Sequence, residues 1–232
     1  MTDAADALRA KTQIVYERLV ALHGALPLVP RREPMHELIS TMLSHRTTEA
    51  DEALAFKRMW DRFGSWEAIR DAPLDDLIDA IRPANYPETK APRIQAALRR
   101  IIDARGEPSI DFLRDWPPDD ALAWLMALPG VGIKTASLVL LFCFAQPVLP
   151  VDTHVHRVSQ RVGLIGATVG PAAAHAALLA LLPRDAYVLF NFHKALLRHG
   201  QQICTWSSPR CRRCPLTDIC DWYREHRSAK SS

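Results

Sequence analysis

Four cysteines near the C-terminus form the clearest chemical signature of this chain. Cys204, Cys211, Cys214 and Cys220 are spaced C-x6-C-x2-C-x5-C. Thiols this dense, in a chain that opens without the pattern of a secretory signal, favour metal binding over disulfides. Zinc held by four cysteines usually takes two C-x2-C pairs, and this stretch has one. A cubane iron–sulfur cluster takes a thiolate at each corner, so the spacing favours such a cluster and leaves zinc or unligated thiols as alternatives.

A glycine turn followed by a lysine is the second candidate site. The segment Leu128–Ala136 reads LPGVGIKTA, and its glycines allow a tight turn before a helix that starts near Ile133. Lys134 falls in the first helical turn, where the helix dipole and partial burial both disfavour the charged amine and favour a nucleophile. A surface lysine that binds phosphate is the alternative. The helix N-terminus suits a DNA phosphate, with contacts expected from Gly130, Val131, Gly132 and Thr135.

The next charged motif is Val151–Arg157, which reads VDTHVHR. Asp152 is typical of the N-cap of a new helix, and a purely structural cap is one interpretation of it. The other is that a helix–turn–helix connection folds this carboxylate back towards Lys134. His154 and His156 are two residues apart, so a helix points them to different faces and they do not form a metal pair.

The charge distribution is more informative than the total charge. The 232 residues carry 29 Lys and Arg against 26 Asp and Glu, a formal net charge of +3, which by itself does not indicate nucleic acid. No acidic residue occurs from Ala186 to Thr217. Arg210, Arg212 and Arg213 of this stretch flank or lie inside the cysteine loop, where a metal-tied backbone would hold them ready for phosphates. A solvated basic face is the alternative.

The elements that must position these residues are all predicted to be helices. Hydrophobic residues make up 48% of the chain, enough for a core, and the longest apolar run is far shorter than the ~20 residues of a membrane span. No segment alternates with period two long enough for a sheet, so the predicted fold class is all-α. Apolar spacing predicts helices over Ala5–Leu22, His36–Leu43, Ala50–Phe63, Trp66–Asp71, Leu74–Ile81, Ile94–Ile102 and Asp119–Leu128.

Together, the glycine turn with Lys134, the VDTH segment with Asp152 and the cysteine loop resemble the endonuclease III family of helix-hairpin-helix DNA glycosylases, over about residues 38–223. The resemblance implies two helical domains on either side of a DNA-binding groove. Residues 33–147 would form a six-helix barrel with the hairpin. Residues 1–32 and 148–232 would form the other domain, with a [4Fe-4S] cluster on Cys204, Cys211, Cys214 and Cys220.

The resemblance also implies an activity. The expected activity is that of a bifunctional glycosylase and AP lyase of base excision repair, which removes oxidised pyrimidines from damaged duplex DNA. Lys134 would attack C1′ of the flipped nucleotide, form a Schiff base and allow β-elimination. Asp152 would stabilise the developing positive charge and help to deprotonate the lysine. A cytoplasmic monomer, nucleoid-associated in a bacterium and without a membrane partner, is expected.

Two positions depart from the family pattern and concern the DNA contacts. Arg46 stands where the family usually has a glutamine that fills the gap left by the flipped base, and it can hydrogen-bond an orphaned guanine. Asn85 stands where a wedge leucine usually precedes the tyrosine. These departures bear on lesion range and leave two alternatives, a glycosylase for alkylated or mismatched bases with weak lyase activity, and a non-catalytic iron–sulfur DNA-binding module. Lys134 disfavours an adenine-excising relative, which has no lysine there.

Overall fold

The computed structural model describes residues 2–30 and 32–228. All regular elements in these ranges are helical and no strand occurs among them, which confirms the all-α prediction. The α-helices are α1 Thr2–His23, α2 Pro34–Ser44, α3 Glu49–Phe63, α4 Trp66–Asp71, α5 Leu74–Ala80, α6 Pro87–Arg105, α7 Pro118–Met126, α8 Ile133–Phe144, α9 Thr153–Val162, α10 Pro171–Leu179, α11 Ala186–Gln202 and α12 Asp221–Ser228, and 3-10 turns cover Asp111–Asp115 and Cys211–Arg213.

The chain divides into two compact units, and one of them is the continuous segment Pro30–Phe144. Its central helix is α2, which packs against α3, α6 and α8. Leu38, Ile39 and Leu43 of α2 are fully buried, so α2 supplies apolar side chains to all these contacts. Because α2 ends at Ser44 and α8 begins at Ile133, this packing brings the turn after α2 next to the start of α8.

The other unit combines Met1–Val29 with Ala145–Ser232. Its helix α11 packs against both α1 and α9, with Leu19 and Phe192 fully buried. The segment after the cysteine loop is tied back to α1, since Lys11 Nζ lies 3.0 Å from an oxygen of Asp221 at the start of α12. The unit therefore joins the two ends of the chain.

Local sequence signals set several helix ends. The Ser65 side chain accepts the Ala68 N–H at 3.1 Å and caps α4, as its type and position predict. The sequence placed the start of α6 too late, at Ile94, whereas the helix begins at Pro87, a residue type that suits the first helical position. The domain interpretation, with limits at residues 33 and 147, stays a prediction. No helix in the described part of the chain is both long and apolar enough to cross a membrane.

Candidate functional site

The connection between α7 and α8 is a tight hairpin that requires glycine at one position. The Val131 N–H donates to the Leu128 carbonyl at 3.1 Å. Gly130 has a φ of +80°, and a Cβ there would lie 3.0 Å from Arg93 Cβ. Both the backbone conformation and the close helix α6 therefore disfavour any residue other than glycine at this position. No such contact exists at Gly132.

The hairpin places Lys134 as predicted, in the first turn of α8, and leaves the residue partly buried. The residues near Lys134 that are expected to contact a DNA phosphate differ in their exposure to solvent. Val131 is 6% and Thr135 1% exposed, so their side chains belong to the core. The Val131 N–H is already used inside the hairpin, so of these two residues Thr135 is the one whose backbone N–H could contact DNA. Gly132 is exposed.

Residues 45–48, here named the Arg46 turn, connect α2 to α3 and carry one expected DNA contact. Arg46 has a φ of +53°, and its guanidinium carbon lies 5.9 Å from the centre of the Tyr86 ring. The Asn85 side-chain amide donates to the Arg46 carbonyl, and the Asn85 N–H donates to Thr47 Oγ1 at 3.1 Å. The structure thus brings exposed Arg46 and exposed Asn85 together, although 39 residues separate them.

A lysine that the sequence analysis missed holds this turn. Lys90 Nζ donates to the carbonyls of Leu43 at 2.6 Å and His45 at 2.8 Å, and to Thr47 Oγ1 at 2.8 Å. The residue is 7% exposed, and burial lowers the pKa of Lys90 to about 8. Its helical spacing could have predicted this burial, because Lys90 lies four residues before buried Ile94, on the apolar face of α6.

Asp152 lies in the other unit and caps α9, as predicted. Its Oδ1 accepts the N–H groups of His154 at 2.8 Å and Val155 at 2.7 Å. Within the described ranges Oδ2 makes no hydrogen bond, and the residue is partly exposed. The cap uses one oxygen, so the structural role of this carboxylate does not exclude a chemical one. Its approach to Lys134 stays a prediction.

The four cysteines line one cavity together with His199 and Arg161. Arg161 donates to Cys204 Sγ at 3.4 Å, and His199 Nε2 lies 3.4 Å from Cys214 Sγ. Burial raises the pKa of Cys214 to about 11 and also raises that of Cys220. In residues 2–30 and 32–228, no three Cys, His, Asp or Glu side chains converge as ligands of a single metal ion. The four thiols line one cavity, and four thiolates are the donor set that a cubane iron–sulfur cluster takes.

Two arginines of α9 hold the backbone of the loop that starts at Cys204. Buried Arg157 donates to the carbonyls of Gly200 at 2.8 Å and Cys204 at 3.1 Å. Arg161 donates to the carbonyls of Thr205 and Trp206, both at 2.7 Å. Their i, i+4 spacing is the sequence signal that went unused. The predicted contacts Arg210, Arg212 and Arg213 lie in this loop and are exposed. The fifth cysteine, Cys143, is 3% exposed and lies in the unit that does not contain the cysteine loop.

Comparisons with known proteins agree with this architecture. The family model described as HhH-GPD superfamily base excision DNA repair protein matches residues 39–184. Endonuclease III of Thermotoga maritima is 35% identical over 192 residues, 83% of this chain and 84% of the relative. DNA glycosylase/AP lyase ROS1 of Arabidopsis thaliana is 29% identical over 170 residues, 67% of this chain and 12% of that longer protein. A trapped endonuclease III–DNA covalent intermediate superposes with a TM-score of 0.80 at 27% identity, covering 94% of this chain and 98% of that one.

Proposed function

Because this chain belongs to the HhH-GPD superfamily of base excision DNA repair proteins, as an endonuclease III-like glycosylase, we propose that it removes oxidised pyrimidines from duplex DNA and then nicks the strand. The observation that carries the proposal is a partly buried lysine, Lys134, in the first turn of the helix after a glycine hairpin. An amine so placed can be a nucleophile, whereas a glycosylase that only activates water has no use for it.

In the proposed reaction, Lys134 Nζ bonds to C1′ of the flipped nucleotide. The bond from C1′ to the base breaks, and its electron pair leaves with the base. The sugar ring then opens to a Schiff base between Nζ and C1′. Loss of a proton from C2′ breaks the bond from C3′ to its phosphate oxygen, which nicks the strand. The Asp152 oxygen that does not cap α9 would stabilise the positive charge on the sugar.

Recognition of the duplex is proposed to involve the Arg46 turn. Flipping a nucleotide costs a few kcal/mol and leaves its partner base unpaired. Arg46 is exposed, and the Asn85 and Lys90 side chains hold the backbone beneath it. A guanidinium carried by this turn can donate two hydrogen bonds to a guanine edge, so we expect lesions opposite guanine to be preferred.

The cysteine loop is proposed to hold a [4Fe-4S] cluster through Cys204, Cys211, Cys214 and Cys220, and the cluster would supply rigid cross-linking of the loop. Arg157 and Arg161 already fix the backbone from Gly200 to Trp206. The ordered loop would present Arg210, Arg212 and Arg213 to phosphates with little entropy left to lose. A zinc-loaded loop is the alternative, and iron analysis of the purified protein distinguishes them.

The experiment that tests the function is a panel of duplexes, each with one defined oxidised, alkylated or mismatched base, scored separately for base release and for nicking. We expect oxidised pyrimidines to be released and their strands nicked, and Asp152→Asn to bind DNA but lose most turnover. Base release without nicking would contradict the lyase step. Unchanged turnover of Asp152→Asn would remove its chemical role.

A glycosylase of shifted lesion range is the second candidate, and the residue types at positions 46 and 85 favour it. Arg46 and Asn85 replace the residues usually found at these positions in the family, while the hairpin around Lys134 keeps the family pattern. If alkylated or mismatched bases are released and oxidised pyrimidines are not, this candidate replaces the first. The two candidates then differ in the damaged base that is released. In both, Lys134 would form a covalent complex with an abasic site.

A further inference from the structure

The segment that leads into Asp152 is buried although it belongs to no helix. Residues 145–152 lie between α8 and α9, and within them Leu149 is 2% and Val151 3% exposed. These apolar side chains bring the backbone inside the unit together with its carbonyl groups. In the described ranges no backbone N–H bonds to the carbonyls of Leu149 and Pro150. A buried carbonyl requires a hydrogen-bond donor, so side chains have to supply it.

Two buried histidines from different helices supply these donors. His175 of α10 places its Nδ1 2.9 Å from the Leu149 carbonyl oxygen. His193 of α11 places its Nδ1 2.9 Å from the Pro150 carbonyl oxygen. The two residues are 5% and 3% exposed, and they belong to the same unit as the segment. Because a carbonyl oxygen only accepts, Nδ1 of each ring carries the hydrogen and donates it.

We propose that His175 and His193 are positioning residues, which set the place of the Asp152 carboxylate for the reaction. The proposal rests on the proposed function, in which this carboxylate stabilises positive charge on the sugar. The cap holds the carboxylate from the other side, since Oδ1 accepts the N–H groups of His154 and Val155. The backbone before the carboxylate and the helix after it are therefore both fixed.

Such a fixed carboxylate matters for the rate more than for binding. The Asp152 oxygen that does not cap α9 has to lie at the right place before positive charge develops, because electrostatic stabilisation requires groups that are already in position. A displacement of about 1 Å can cost on the order of a hundred-fold in rate. Loss of one of the two histidine bonds lets the segment move, and the carboxylate moves with it.

The test compares variants that lose or keep the donor, with base release from an oxidised duplex measured under single-turnover conditions. His193→Leu leaves the Pro150 carbonyl without its donor, and base release should slow by about tenfold or more. His193→Asn places an amide N–H near the former Nδ1 and should stay within about threefold of wild type. His175→Leu and His175→Asn should differ in the same way. DNA affinity should stay within about twofold in all four, since both side chains are buried.

A second reaction separates positioning from folding. Borohydride trapping of Lys134 on a duplex with a preformed abasic site requires no departure of a base, so it depends less on the charge that Asp152 stabilises. Both leucine variants should therefore trap within about threefold of wild type while base release falls further. Where His193→Leu does not fold, His193→Gln replaces it, because its amide reaches the Nε2 position and leaves the Nδ1 position without a donor.

Three results would overturn the proposal. They are unchanged base release in the leucine variants, equal losses of base release and trapping, which indicate only a smaller folded fraction, and asparagine variants as slow as the leucine variants. If wild type releases no damaged base and forms no covalent complex, the proposed function fails and the inference falls with it.

Discussion

Two irregular segments carry the arginines expected to contact DNA, and they are stabilised in different ways. The backbone of the Arg46 turn is held by one buried side chain, Lys90, whose three hydrogen bonds satisfy groups from Leu43 to Thr47. The backbone after Gly200 is held by two arginines of α9, and its four thiols line a cavity, where sulfur hydrogen bonds of 3.3–3.4 Å involve Cys204, Cys214 and Cys220. The first segment is held by groups of the protein itself, whereas the second is proposed to be completed by the cluster. Different substitutions should therefore disrupt the two segments.

The largest effect is expected from removing one cysteine of the loop. Cys214→Ser should lose the iron and the absorbance near ~400 nm of a [4Fe-4S] protein, and DNA affinity should fall on the order of tenfold or more. Iron analysis and DNA titration measure both. Cys143→Ala is the matched control, because that cysteine lies in the other unit, and its iron content should stay at the wild-type value. Full iron content in Cys214→Ser would contradict the assigned ligand set.

The Arg46 turn should instead be sensitive to Lys90. Lys90→Met fits the buried space but leaves two carbonyls and a hydroxyl without their donor, so we expect unfolding to become easier by about 2–4 kcal/mol. Iron content should not change, because the cysteine loop belongs to the other unit. Denaturant unfolding, followed by tryptophan fluorescence, measures the loss. A change below about 0.5 kcal/mol would show that the turn does not depend on these bonds.

The same lysine predicts a pH dependence of stability. The pKa of Lys90 is about 8 in the folded protein and ~10.4 when unfolded, so the unfolded chain binds more protons between these values. The contribution of Lys90 to the free energy of unfolding should therefore rise between about pH 8 and 10.4, and be lost as the pH falls through about 8. Comparing wild type with Lys90→Met at both ends of this window isolates the effect. A difference independent of pH would contradict the shifted pKa.

A smaller effect is expected at the hairpin. Gly130→Ala has to adopt a φ of +80° and push against Arg93, so we expect a loss of about 1–3 kcal/mol in stability. Gly132→Ala meets no atom within 4 Å and should change stability by less than about 0.5 kcal/mol. Thermal or denaturant unfolding of the two variants side by side checks this. Equal losses would mean that the strain at Gly130 is not what restricts the hairpin.

The smallest effect concerns a single exposed arginine. Arg212→Ala should weaken DNA binding a few-fold, and the slope of log affinity against log salt should become shallower by about 1, as for one lost phosphate contact. Arg9→Ala is the control, because Arg9 is exposed on α1 and already paired with Asp6 at 3.1 Å. The same salt slope for Arg212→Ala and wild type would remove Arg212 from the interface.

The sequence predicts features that depend on neighbouring residues and misses those that depend on distant ones. The caps at Ser65 and Asp152 follow from side chains that bond N–H groups two or three residues ahead. Lys90 holds carbonyls 45 and 47 residues away, so no local pattern reveals its partners. The polar helix α12 was also missed, and the contact between its first residue and Lys11 spans 210 residues. The position of the candidate nucleophile, Lys134, could be predicted from the local sequence, whereas the side chains that hold the neighbouring turn could not.

The central claim is that the Lys134 amine forms the covalent bond to DNA. The most direct measurement is borohydride reduction of the protein on abasic duplex DNA, followed by protease digestion and mass spectrometry of the DNA-linked peptide. We predict one adduct, on the peptide that contains Lys134, and none in Lys134→Ala. An adduct on another lysine, or a trapped complex of unchanged yield with Lys134→Ala, would contradict the account.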